Sequence, residues 1–310
     1  LLTHDEVRGK PPESGMKHSS LRNAMNTQLL QNEFPMGLTS LAMKIDDFSD
    51  LLIFKKHHIG LLEVLLLEPS NKAWTVGEDD STADFLSLCQ QHQVRPYSVH
   101  GYFLPELGHD VVDADPDIRK KAIDLNLTLF QGARDIGAEY VIMHLYGKEV
   151  PGRSERETLS LAREAVFSLL PEAEKTGIAI AVENLAEKWS IRQINTILDD
   201  INHPLLGIWF DTGHSALYGQ LEQELELCRD RLFGLHVHDN NLQNDDHIIP
   251  FRGKIDWKAF SSVLVRIGYR GPLIIEAFTR EEGESSDNFI MECQKAYVNL
   301  IEYISEALRT

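Results

Sequence analysis

The stretch "GIAIAVEN", residues 177–184, decides the fold. Between Gly177 and Glu183 every side chain is aliphatic, with no polar residue at alternate positions. A strand covered on one face alternates apolar and polar residues. An unbroken apolar run fits a strand buried on both faces, as in a parallel sheet under helices. The run ends on a carboxylate, Glu183, that an apolar strand does not need.

The same pattern recurs along the chain. Strand-like runs are "GLTSLAM" (37–43), "IGLLEVLLL" (59–67), "VRPYSVH" (94–100), "AEYVIMHL" (138–145), "LLGIWFD" (205–211), "LFGLHVHD" (232–239) and "PLIIEAF" (272–278). Helical patterns fall between them, at 116–136, 155–176, 190–201, 256–267 and 287–308. Asp115-Pro116 and Asp256-Trp257 supply helix starts, and Gly177 and Gly268 stand where C-terminal caps belong. Eight strand–helix units over residues 36–310 match a (β/α)8 TIM barrel of about 250 residues. An open doubly wound sheet would bring a Gly-rich phosphate turn, and neither GxGxxG nor GxxxxGK[ST] occurs. The expected fold is therefore an α/β (β/α)8 barrel forming a single domain at 36–310. A polar extension, residues 1–35 with Pro11-Pro12, precedes it.

Composition narrows the function. The formal charge is -18, which argues against a surface built to neutralise phosphates of a duplex. No apolar run reaches the ~20 residues that span a bilayer. Cys89, Cys228 and Cys293 form no CxxC pair, and each suits a small core residue in a reducing, cytoplasmic setting.

Ionisable residues gather at the ends of these runs. His100 closes the third, His144 the fourth and Glu183 the fifth, followed by Asn184. Asp211 closes the sixth, with His214 one turn on; His236, His238 and Asp239 fall in the seventh and Glu276 in the eighth. In a barrel these ends converge on one mouth. Carboxylates crowded there would repel one another, and a divalent cation removes that conflict. Mixed imidazole and carboxylate donors suit Mn, Zn, Co or Fe better than an all-oxygen site. Taken singly, a strand-end His is more often a hydrogen-bonded structural residue, the role expected of His109 and His238. Asp211 before "TGH" would serve equally as a helix cap. Of the two histidines in "HVHDN", His236 is expected to face the site and His238 to turn away from it. Trp209 and Trp257 read as packing residues.

Taken in order, "VEN" (182–184), "FDTGH" (210–214), "HVHDN" (236–240), "DDH" (245–247), "GKIDW" (253–257) and "IIEAF" (274–278) resemble the xylose isomerase-like barrel superfamily. That superfamily holds sugar and sugar-phosphate isomerases and epimerases, inosose dehydratases and apurinic-site endonucleases of the endonuclease IV type. The resemblance to the epimerase branch implies one divalent ion (Mn, Co, Mg or Zn) on Glu183, Asp211, His236 and Glu276. It also implies a metal-stabilised enediolate, with Glu183 and Glu276 as acid and base. The substrate would be a ketose or sugar phosphate, with His214 and Arg252 as candidates for holding its hydroxyls or phosphate. Barrels of this kind also form homo-oligomers.

The endonuclease branch implies up to three zinc ions. Its further ligand positions match His100 and His144 on one side, and His214, Asp245 and His247 on the other. Three stretches depart from that branch. "ENLAEKWS" lacks a Thr-Ala-Gly-Gln run, "FDTGHSALYG" lacks a Cys before the His, and "HGYFLPEL" lacks the Pro-Tyr and Asn-Leu pieces. With the acidic charge, this favours the sugar branch; an endonuclease or an inosose dehydratase-like lyase is the alternative.

Overall fold

The computed structural model describes residues 28–42, 50–66, 74–145, 152–186, 189–217, 219–280 and 282–310. Eight parallel strands close into a barrel in sequence order. They are β1 (Met36–Thr39), β2 (Leu61–Leu65), β3 (Arg95–His100), β4 (Tyr140–Met143), β5 (Ala179–Glu183), β6 (Leu206–Asp211), β7 (Leu232–Val237) and β8 (Leu273–Ile275). The pairing of Met36 with Leu273 and of Gly37 with Ile274 closes the ring.

The long helices begin and end where local chemistry directs. We number the helices α1 (Leu51–Lys56), α2 (Asp79–His92), α3 (Pro116–Ile136), α4 (Glu155–Thr176) and α5 (Ile191–Ile201). They continue as α6 (Thr212–Leu217), α7 (Leu221–Leu227), α8 (Trp257–Ile267) and α9 (Ser286–Ala307). Asp115 caps α3 by accepting from the Asp117 N–H, and Ser154 with Glu157 forms a reciprocal capping box on α4. Gly177 and Gly268 take the left-handed conformation that ends α4 and α8. The cysteines are free and buried. No described helix is long and apolar enough to cross a membrane.

Of the expected extension, residues 1–27 lie outside the described residues. Its last part is docked: residues 28–33 are helical, Phe34 is fully buried, and the Tyr297 hydroxyl donates to the Phe34 carbonyl.

Strand alternation divides the core in two. Ile180, Val182, Ile208, Phe210, Leu273 and Ile275 pack outward under the helices. Leu61, Tyr97, Ile142, Ala181, Trp209 and Ile274 form a separate apolar plug. Residues two apart on a strand share a face. Two residues beyond Leu61, Ala181, Trp209 and Ile274 stand Glu63, Glu183, Asp211 and Glu276, and all four are buried. On β7 the position two residues before His236 is Gly234. A Cβ there would lie 2.2 Å from Trp209 Cζ3, so only glycine lets the indole fill the barrel.

Candidate metal centre

The acidic and basic groups above the plug form three groups, each with its donor atoms within 4.8 Å of one another. The central group is Glu183, Asp211, His236 and Glu276, all buried. His236 Nδ1 stands 3.1 Å from Glu183 Oε1, 3.2 Å from Glu276 Oε2 and 4.0 Å from Asp211 Oδ2. The second group joins His100 and His144 to Glu183, with Nε2 atoms 3.4 and 3.0 Å from Glu183 Oε2. The third joins His214, His238, Asp245 and His247: His214 Nε2 is 3.1 Å from Asp245 Oδ2 and His247 Nδ1 is 3.1 Å from Asp245 Oδ1. Glu183 thus belongs to two groups.

Cross-strand hydrogen bonds hold these strand ends in place. The Asp211 N–H donates to Asn184 Oδ1, and the Asn184 amide donates to the Asp211 carbonyl, joining β5 to β6. The Thr212 hydroxyl donates to the His238 carbonyl, joining β6 to β7. Asp211 does act as a cap, accepting from the His214 N–H through Oδ1 at 2.6 Å. Its Oδ2 is buried without a hydrogen-bond partner and faces the central group. The capping and ligand readings of Asp211 therefore use different oxygens.

Three histidines have one ring nitrogen engaged and the other directed at a carboxylate of the clusters. His100 Nδ1 contacts the Gly101 carbonyl at 2.9 Å, His214 Nδ1 contacts the Asn184 carbonyl at 2.8 Å, and His236 Nε2 contacts Glu63 at 2.8 Å. Engagement of one nitrogen orients the ring and selects the tautomer a ligand needs. This pattern, the orphaned Asp211 oxygen and the mixed donor set together fit a divalent ion of the Mn or Zn kind.

Without an ion, the charges are balanced by the histidines themselves. Burial raises the Glu276 pKa, but His236 and His247 outweigh it and hold the carboxyl down at about 2. Glu183 is likewise held well below the carboxylate range by His236, His144 and His100 against the effect of burial. Burial lowers the His214 pKa, yet Asp211 and Asp245 prevail and push it up to about 10. His144 moves the other way, because burial outweighs Glu183.

A raised folded pKa stabilises below the unfolded value and loses that contribution as pH rises through the folded value. With chelator present, thermal unfolding is expected to occur at progressively lower temperature from pH 6.5 to about 10, the window set by His214. His214→Gln should flatten that slope, and a midpoint that rises over this window would contradict it.

Several expectations change. His238 does not turn away: two residues beyond His236 it keeps the same side, and its ring lies 3.0 Å from Asp211 Oδ1. It stacks on His247 with centroids 3.9 Å apart and planes 6° apart. A ring nitrogen's lone pair lies in the ring plane, so two parallel stacked rings cannot both point at one ion. His238 therefore buttresses Asp211 and His247 in this arrangement. A Cβ on Gly213 would come within 2.0 Å of that ring. Gly213→Ala is expected to cost about 1–3 kcal/mol in denaturant unfolding by forcing His238 off Asp211.

Arg252 is absent from the cavity wall. Its guanidinium stands 3.4 Å from Glu292 on α9. His109 packs against Tyr102, away from the clusters. Trp209 and Trp257 are both buried, as packing residues should be. Glu63 escaped the sequence reading, although a carboxylate inside "IGLLEVLLL" is the same signal that singled out Glu183.

The clusters open into a cavity of about 380 Å3, walled by Leu41, Leu65, Phe103, Leu185 and Phe278 above His100, His144, Glu183, His214, Asp245, His247 and Glu276. That size is within the range of small-molecule sites.

A closed eight-stranded parallel barrel with clusters of potential metal donors at the C-terminal strand ends defines a TIM barrel. The family described as "Xylose isomerase-like TIM barrel" matches residues 60–297, and the chain belongs to it. An uncharacterised protein, y4fM, of Sinorhizobium fredii is 28% identical over 199 residues, 61% of this chain and 63% of that protein. The chain thus spans under two thirds of that relative's length. An L-ribulose 3-epimerase of Methylomonas sp. is 25% identical over 234 residues, covering 71% of this chain and 74% of that enzyme. Among solved structures, the IolI protein with a bound zinc atom superposes with a TM-score of 0.73 at 19% identity. That alignment covers 86% of this chain and 98% of IolI, a likeness of fold.

Proposed function

We propose that the chain is a divalent-metal-dependent isomerase or epimerase acting on a small polyhydroxy ketone. One observation carries this reading. Glu183 and Glu276, from β5 and from the end of β8, approach the same nitrogen of His236 and both line the cavity. Isomerisation or epimerisation next to a carbonyl removes a proton from carbon and returns one to a different atom or face. Two carboxylates reaching one small volume from different strands can divide that work, one as base and the other as acid.

Glu183, Asp211, His236 and Glu276 would hold the ion, which when bound supplies Lewis-acid polarisation of a carbonyl oxygen. His214 is placed to contact substrate hydroxyls. Phe103 and Phe278 limit water on the cavity side, which strengthens the electrostatic effect of the carboxylates. The Methylomonas relative's name, L-ribulose 3-epimerase, supports the same chemistry.

A second reading, phosphodiester cleavage at abasic sites with three zinc ions, is favoured by the two outer clusters around His144 and His247. Against it stand the -18 charge and a cavity with no Lys or Arg among its described lining residues. Metal analysis of the purified chain, with incubation on an abasic-site duplex, separates the two. One equivalent of Mn or Co and an intact duplex are expected. Three equivalents of Zn with chelator-sensitive nicking would replace the first reading by the second.

A further inference from the structure

Glu63 lies on β2, fully buried, and reaches across the barrel to β7. Its Oε1 is 2.8 Å from His236 Nε2, and its Oε2 accepts from the Ser98 hydroxyl at 2.8 Å. Both oxygens are thereby committed within the barrel. None of the three metal-capable groups includes Glu63, and it does not line the cavity.

We infer that Glu63 is the positioning residue of the metal centre: it holds His236 in the Nε2–H tautomer and leaves Nδ1 as the ligand atom. A neutral imidazole has one N–H and one lone pair, and the two must be assigned. A carboxylate at Nε2 accepts only, so Nε2 carries the hydrogen. The lone pair then falls to Nδ1, the atom that Glu183, Asp211 and Glu276 surround. The opposite tautomer would aim the Nε2 lone pair at Glu63 and leave Nδ1 unable to bind an ion. Ser98 contributes by occupying the second Glu63 oxygen and so fixing the carboxylate's rotation. Carboxylate partners of this kind also make the ring a better donor, and their loss weakens metal affinity about 10–100-fold.

This inference rests on the metal half of the proposed function and not on the identity of the substrate. The test is competition of the folded full-length chain against a chromophoric chelator for Zn2+ and Mn2+. Wild type is compared with Glu63→Gln and Glu63→Leu, and thermal midpoints are recorded alongside. Glu63→Gln keeps an acceptor and a partner for Ser98 but loses the charge; about 10–100-fold weaker binding with a folded barrel is expected. Glu63→Leu, which cannot accept at all, should lose more.

The tautomer is read without any variant, from two-bond 15N–1H correlations of the histidine rings in the zinc-loaded wild type. A protonated Nε2 and a zinc-bound Nδ1 on His236 are expected. Metal binding by wild type together with unchanged affinity in Glu63→Gln would overturn the inference and leave the metal reading standing. So would a zinc-bound Nε2. Lowered thermal midpoints with unchanged affinity would make Glu63 a packing residue, which also overturns it. Failure of wild type to bind either ion would remove the metal reading itself and this inference with it.

Discussion

Glu183→Gln should abolish turnover while leaving the barrel folded. Glu183 Oε1 faces His236 Nδ1, its Oε2 faces His144 and His100, and the carboxylate sits at the junction of two donor groups. The amide keeps the size and shape of the side chain, so the packing of the barrel interior is retained. The substitution removes a metal donor and a proton-transfer group together. General acid–base catalysis alone contributes about 10²–10⁴-fold, so a loss of at least about 10³-fold in kcat is expected once the metal effect is added. Glu276→Gln should have a similar effect, with less disturbance of the His100 and His144 side. Far-ultraviolet circular dichroism and metal content measured with the kinetics separate lost chemistry from lost fold. Retained activity in both variants would end the assignment.

The second large effect is on stability. Asp239→Ala should destabilise the barrel by at least about 3 kcal/mol, since each buried donor left without an acceptor costs about 1–3 kcal/mol. Asp239 is fully buried and accepts four hydrogen bonds. The N–H groups of Asn240 and Ile255 reach Oδ1, and those of Phe251 and of the Trp257 indole reach Oδ2. Alanine would orphan all four donors.

The segment between Asn240 and Trp257 carries Asp245 and His247. It also holds three non-glycine residues in the left-handed region: Leu242, His247 and Phe251. Such conformations cost about 1–3 kcal/mol each and persist only where surrounding bonds enforce them. Gly253 belongs to the same enforcement, since a Cβ there would lie 2.2 Å from Asp239 Oδ1. Urea unfolding measures the loss; a change below about 1 kcal/mol would mean that the segment holds itself.

Much of this was legible from the residues. The α3 and α4 spans coincide with the reading from sequence because caps mark both ends: Asp115-Pro116 and Ile136-Gly137, Ser154 and Gly177. The strands were located but overextended. Apolar side chains continue past the last ladder bond, so "PLIIEAF" contracts to Leu273–Ile275. The ends of the apolar runs marked ionisable residues in general; the set of Glu183, Asp211, His236 and Glu276 came from the family resemblance, and these four lie together as one group.

His238 keeps the side of His236, two residues earlier, as strand alternation requires, so its expected turn away runs against the local pattern. Arg252 stands beside Glu292, a tertiary neighbour that no local pattern encodes. Glu63 was passed over because it sits inside its strand rather than at the end. The alternation that pairs Leu61 with Glu63 is the same one that pairs Ala181 with Glu183.

The most direct test of the central claim is proton exchange at carbon. The Mn-loaded chain is incubated in D2O with a panel of free and phosphorylated ketoses and inososes, and deuterium incorporation next to the carbonyl is followed by proton NMR. Metal-dependent incorporation with at least one substrate, lost on chelation and in Glu183→Gln, is the predicted result. Absence of exchange across the panel, in a metal-loaded chain that nicks an abasic duplex, would contradict it.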